Sequence, residues 1–134
     1  MLPDLQSSLV CGDVRQERNG KFILIGLFDG LAVQKLPARF ARICLVNRWC
    51  CGEGEFVQHS RIVGPDGQTV VADGKEVPIK LPRQDMTATS IEVFMNVEFA
   101  VQGTHWIEVL LDSQLRLRYP LTLRVIERPP QQEG

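Results

Sequence analysis

The sequence predicts an all-β protein, an antiparallel β-sandwich of the immunoglobulin-like kind with about eight to nine short strands. Apolar residues recur with a period of two, which is typical of strands with one buried face. The 11 glycines and 8 prolines interrupt the 134-residue chain too often for a long helix. Short strands separated by turn residues are typical of sandwiches and barrels.

The first two strands, predicted at 8–16 and 21–28, flank Asn19-Gly20, a pair typical of two-residue hairpin turns. Such a turn pairs Val14 with Ile25 and Asp13 with Gly26. The face with Val10, Val14, Ile23, Ile25 and Leu27 is then predicted to be core. Because the second strand is apolar on its other face too, we expect it to be central. That other face would be covered by a loop or by another subunit.

The rest of the chain alternates between strands and turn residues. Asp29-Gly30 begins a loop that runs through Leu36-Pro37, and Pro65-Asp66-Gly67 predicts a type I turn. Asp73-Gly74 is a second hairpin signal, and 82–87 is predicted as a loop. The remaining predicted strands are 40–51, 56–63, 69–72, 76–81, 90–101, 105–112 and 115–126.

The last three strands alternate most regularly. In 90–101 the odd positions from Ile91 to Val101 predict the buried face and leave Glu92 on the exposed one. An odd-length loop at 112–114 would pair Val109 with Leu117 and place Glu108 opposite Arg118 on an exposed face.

Length fits one domain at 1–127, and the segment 128–134, without apolar residues, is predicted to be a flexible tail. The net charge of −1 does not favour nucleic-acid binding. We see no signal peptide and no apolar run long enough to cross a membrane. Four cysteines without a secretory signal read as reduced thiols, so we expect a cytoplasmic protein.

No motif predicts catalysis, a cofactor or a metal. The cysteines and histidines lack the paired spacing of zinc sites. Cys50 or Cys51 with His59 could supply a nucleophile and a base, but no nucleophile motif surrounds them. Asp13 and Asp29 are two carboxylates without the spacing of a calcium loop. The alternative for Asp13 is an ion pair with Arg15 or with a strand neighbour.

Apolar side chains on otherwise polar faces are the main functional signal. Several together would mark a protein interface, unless the loops 30–38 and 82–89 cover them. We therefore expect a non-catalytic domain that binds a protein partner or itself, as a homodimer for example. The candidate binding residues are Asp13, Phe22, Phe28, Asp29, Phe94 and Trp106.

Two further hypotheses belong to other classes. A small-ligand or carbohydrate-binding module would have a cleft lined by Trp49 or Trp106 with convergent polar groups. An enzyme using Cys50 or Cys51 with His59 would have an accessible thiol of lowered pKa.

Two stretches resemble known families. Cys11-Gly-Asp-Val-Arg-Gln-Glu17, Gly20-Lys21 and Leu24-Ile-Gly-Leu-Phe-Asp29 resemble the opening hairpin of a family of small, uncharacterised bacterial proteins, a domain of unknown function. Gly103-Thr-His-Trp106, with the strand after it and Pro120-Leu-Thr-Leu123, is similar to the last hairpin of immunoglobulin-like domains. The resemblances imply a β-sandwich and bring no catalytic residues.

Overall fold

A computed structural model describes residues 1–127, and the predicted tail at 128–134 lies outside the described residues. The described chain is all-β, as predicted, and its regular elements are ten strands. Its strands are β1 (Asp4–Gln16), β2 (Phe22–Leu27), β3 (Gly30–Val33), β4 (Ala38–Cys50), β5 (Gly54–Val63), β6 (Val70–Asp73), β7 (Val77–Leu81), β8 (Thr87–Phe99), β9 (Gly103–Leu111) and β10 (Gln114–Val125).

The strands form two sheets that pack as a sandwich. The four-stranded sheet has the order β2-β1-β4-β8, and the other has the order β3-β10-β9-β5-β6, with β7 also paired to β5. Alternating side chains from both sheets fill the space between them, as the period-two pattern predicts. The largest fully buried apolar side chains are Trp49, Phe99, Ile43, Leu45, Ile62, Leu81, Ile107, Leu111, Leu121 and Leu123.

The final hairpin confirms the predicted register. Leu117 pairs with Val109, and Arg118 pairs with Glu108. The loop itself is shorter than predicted, because Asp112 and Ser113 form a two-residue turn with φ angles of 48° and 68°. An irregularity between Leu115 and Leu117 supplies the extra residue that restores the predicted pairing.

The first hairpin differs from the prediction by one residue. The loop has three residues, since Gly20 N–H donates to the Glu17 carbonyl and Glu17 N–H donates to the Lys21 carbonyl. Gly20 takes the left-handed conformation, with φ of 92°, that such a loop requires. Asp13 therefore pairs with Ile25 rather than with Gly26, and Val14 pairs with Leu24 rather than with Ile25.

The position of β2 also differs from the prediction. It is an edge strand that pairs only with β1 among the described residues, not a central strand. Of its side chains only Leu24 is half-buried, against a small outer cluster around Cys11, Cys44 and Val46. The predicted core residues Ile23, Ile25 and Leu27 are instead exposed.

Two segments take structures that local turn signals did not predict. The predicted loop after Asp29 contains β3, which pairs in parallel with β10, so the sandwich is not wholly antiparallel. Asp73-Gly74 is not a hairpin turn, because β6 and β7 pair with successive parts of β5 rather than with each other. Gly74 instead lies where the two short strands meet along one edge.

The alternation of β8 changes phase within the strand. Asn96 adopts a left-handed conformation with φ of 52°. Before it, Glu92 and Phe94 are buried, and after it Val97 and Phe99 are buried. The prediction that all odd positions face the core is therefore wrong for 91–95, where Met95 is 59% exposed, and for Val101, which is 52% exposed.

Candidate functional site

The predicted site residue Asp13 is engaged by its own chain. Its Oδ2 accepts from Arg15 Nε at 2.9 Å, and its Oδ1 accepts from Arg42 Nη1 at 2.8 Å and from the Val14 N–H at 2.9 Å. The hydrogen bond from Arg15 is the main cause that lowers the pKa of Asp13. Asp13 is thus ion-paired within its own chain, which was the alternative to a role in a binding site.

The predicted aromatic residues are divided between the surface and the interior. Phe22 is exposed, Phe28 packs partly against the core, and Asp29 is exposed just after β2. Phe94, predicted on a polar face, is only 6% exposed because the phase change at Asn96 turns it inward. Trp106 is half-buried, with the Arg118 guanidinium carbon 4.5 Å from its ring centroid.

The exposed apolar side chains of β2 are the most prominent surface feature. We call Phe22, Ile23, Ile25 and Leu27 the β2 surface; they are 39%, 42%, 44% and 59% exposed. No charged residue interrupts the strand between Lys21 and Asp29. An exposed strand edge of this composition is a template for pairing with another chain. Sequence analysis identified Phe22 and missed the other three, since it assigned them to the core.

A second feature, which sequence analysis missed, lies between the sheets. Gln58 Oε1 accepts hydrogen bonds from Trp49 Nε1 at 2.7 Å, Ser90 Oγ at 2.8 Å and Asn47 Nδ2 at 3.2 Å. Gln58 Nε2 donates to Glu92 Oε2 at 2.7 Å. We call Asn47, Gln58, Ser60, Ser90 and Glu92 the interior polar cluster. It joins β5 of one sheet to β4 and β8 of the other.

A sequence signal for the interior polar cluster does exist. Gln58 and Ser60 lie at even positions between Phe56 and Ile62, so the period of two places all four on one buried face. Most polar atoms of the cluster find partners within it, although Asn47 Oδ1 and Glu92 Oε1 are buried without one. We infer that it fixes how the two sheets face each other.

Glu92 lies at the edge of a cleft of about 510 Å³ between β8 and the β6–β7 segment. Its Oε1 has no hydrogen-bond partner and lies against Gly74, where any Cβ would collide with it. Burial raises the pKa of the Glu92 carboxyl. The backbone of Gly74 thus covers a carboxyl group that favours its protonated form.

This raised pKa predicts a pH dependence of stability. The folded state holds the Glu92 proton more tightly than the unfolded state does. The stabilisation is therefore fully present below the unfolded pKa, near 4.5, and is lost as pH rises through the higher folded pKa. Glu92→Gln should remove this loss, so the variant should gain stability relative to wild type as pH increases.

Urea denaturation of both proteins across the pH range measures the difference in free energy of unfolding. Glu55→Gln is the control, because Glu55 is exposed on β5. If the difference in free energy of unfolding between wild type and Glu92→Gln stays constant with pH, the raised pKa of Glu92 is contradicted.

The structure separates Cys50 from His59. Trp49 points inward, so Cys50 points outward from the four-stranded sheet. His59 lies on the outer side of the other sheet, where its Nε2 is 2.6 Å from Asp73 Oδ1. The pKa of Cys50 is raised, mainly by its hydrogen bond with the Cys51 thiol, which is the opposite of nucleophile activation.

Metal and carbohydrate sites find no support in the geometry. In residues 1–127 no group of three or more His, Cys, Asp or Glu side chains is placed to hold a metal ion. Trp49 is fully buried, Arg118 lies over the ring of the half-buried Trp106, and neither tryptophan lines the cleft beside Glu92. The described chain also has no helix of the length and apolar character needed to cross a lipid bilayer.

Comparison with known families gives one match. Residues 6–124 match a family of unknown function, DUF6941. The chain belongs to the DUF6941 family. A comparison with functionally curated proteins finds no match. The DUF6941 region contains both the β2 surface and the interior polar cluster. The sequence-based expectation of an uncharacterised family is confirmed at this level, whereas its opening motif and bacterial origin stay predictions.

Proposed function

We propose that this DUF6941 protein is a non-catalytic β-sandwich that acts through protein–protein contacts, and that the β2 surface makes them. The observation that carries the proposal is the exposure of four large apolar side chains on one short edge strand, each by 39% or more. Removing such side chains from water is the main source of association free energy. We also place the protein in the cytoplasm, which its four unpaired thiols support.

The β2 surface is suited to binding because it contributes little to folding. None of its four side chains belongs to the core between the sheets. A substitution there should therefore change association without unfolding the domain. Self-association is the first case to test, since it needs only the purified protein.

Ile25→Lys should weaken self-association by about tenfold or more, because it places a charge in the centre of an apolar contact. Light scattering across a concentration series should give wild-type masses above the 15.1 kDa of one chain, and a mass close to it for the variant. Circular dichroism should show the same β content in both.

Val70→Lys is the matched control. Val70 is 49% exposed at the start of β6, an edge strand of the other sheet. This variant should associate as wild type does. Equal masses for wild type and Ile25→Lys, or a wild-type protein that stays monomeric throughout the concentration series, would contradict the proposal.

A further inference from the structure

We propose that the partner of β2 is β2 of a second copy of this chain, paired antiparallel across a two-fold axis. The two four-stranded sheets would then form one continuous sheet. This inference rests on the proposed function and goes further by naming the partner and the register of the contact.

The first argument is the open edge of β2. One side of the strand pairs with β1, and no strand of the described residues pairs with the other side. Other edges of the sandwich carry features that discourage pairing. β7 contains Pro78 and Lys80, β3 and β6 have only four residues each, and β8 lies beside β6 and β7. β2 contains neither a proline nor a charge.

The second argument is charge complementarity at the two ends of β2. Lys21 precedes the strand and Asp29 follows it, and both are exposed. An antiparallel partner is reversed, so a two-fold axis near Leu24 and Ile25 brings Lys21 of each copy close to Asp29 of the other. Within residues 1–127, the intrachain ion pairs involve neither residue.

The third argument is self-complementarity. A two-fold contact uses the same patch twice, so it requires a strand whose apolar side chains and flanking charges still match when the strand is reversed. β2 meets both conditions, with apolar side chains on both faces and opposite charges at its ends. A second copy supplies this match without any other partner.

Charge reversal tests the register. Lys21→Glu alone places two carboxylates together at each end of the contact, and Asp29→Lys alone places two ammonium groups together. Each single variant should raise the dimer dissociation constant by about tenfold at low salt. The double variant restores opposite charges and should return the constant to within about threefold of wild type. Lys80→Glu, which reverses an exposed charge on β7, is the control.

The outcomes separate this inference from the proposed function. Rescue by the double variant supports antiparallel β2 pairing. If Ile25→Lys disrupts the wild-type dimer but the single charge reversals leave its dissociation constant unchanged, the register is wrong and the proposed function stands. The same conclusion follows if the double variant does not restore the dissociation constant. A wild-type protein that stays monomeric at all concentrations contradicts both.

Discussion

Gln58→Leu is expected to lower the free energy of unfolding by about 3–5 kcal/mol. The leucine fills a similar volume but removes the amide at the centre of the interior polar cluster. Trp49 Nε1 and Ser90 Oγ then lose their acceptor, and Glu92 Oε2 loses its donor. Each buried polar group left without a partner costs about 1–3 kcal/mol.

Urea denaturation followed by tryptophan fluorescence measures the effect, and Trp49 reports directly on the cluster. Gln68→Leu is the matched control, since Gln68 is exposed, and it should change stability by less than about 0.5 kcal/mol. A loss below about 1 kcal/mol for Gln58→Leu would show that the cluster is not needed to hold the sheets together.

Phe99→Ala should lower the free energy of unfolding by about 3–5 kcal/mol, because it leaves a cavity in the core. The Phe99 ring is fully buried. It makes edge-on contacts with Phe40, at 5.6 Å between ring centroids, and with His105, at 4.9 Å. Because these side chains come from β4, β8 and β9, the ring connects both sheets.

Phe22→Ala provides the comparison, because Phe22 is 39% exposed on β2. It should lower the free energy of unfolding of the monomer by less than about 1 kcal/mol, since little buried apolar area is lost. Thermal or urea unfolding of both variants gives the two values. Similar losses for Phe99→Ala and Phe22→Ala would contradict the placement of Phe99 in the core.

Regular alternation and short-range turns made most of the fold predictable. The final hairpin is an example, because apolar side chains recur at odd positions in β9 and β10, and Glu108 and Arg118 stand at even positions. Only one register satisfies both patterns, so the strand pairing could be predicted although the loop length could not. Glu108 itself is more buried than predicted, because Arg61 Nε, 2.7 Å from its Oε1, also covers it.

Features that depend on one unusual backbone angle or on distant partners were not predictable. Asn-Gly occurs in two- and three-residue loops, and the difference of one residue shifts every pairing between β1 and β2. The left-handed angle at Asn96 has no clear signal in the alternation of β8. The parallel pairing of β3 with β10 joins segments far apart in sequence, so no local pattern indicates it.

The candidate site was predictable only in part. An apolar strand at 21–28 and the exposure of Phe22 and Asp29 followed from composition and turn position. The remaining residues of the β2 surface were assigned to the core, because a strand with two apolar faces is more often central than exposed. Whether such a strand is an edge depends on which strands fold beside it, and that is a property of the whole sheet.

The pairing of β3 with β10 has a consequence for the protein during its synthesis. Gly30 pairs with Thr122, so β3 has no partner until the chain through β10 has left the ribosome. The β1–β2 hairpin can close early, but β1 lacks its second partner until β4 has been made. The nascent chain should therefore be a substrate for chaperones that bind exposed apolar segments until synthesis is complete.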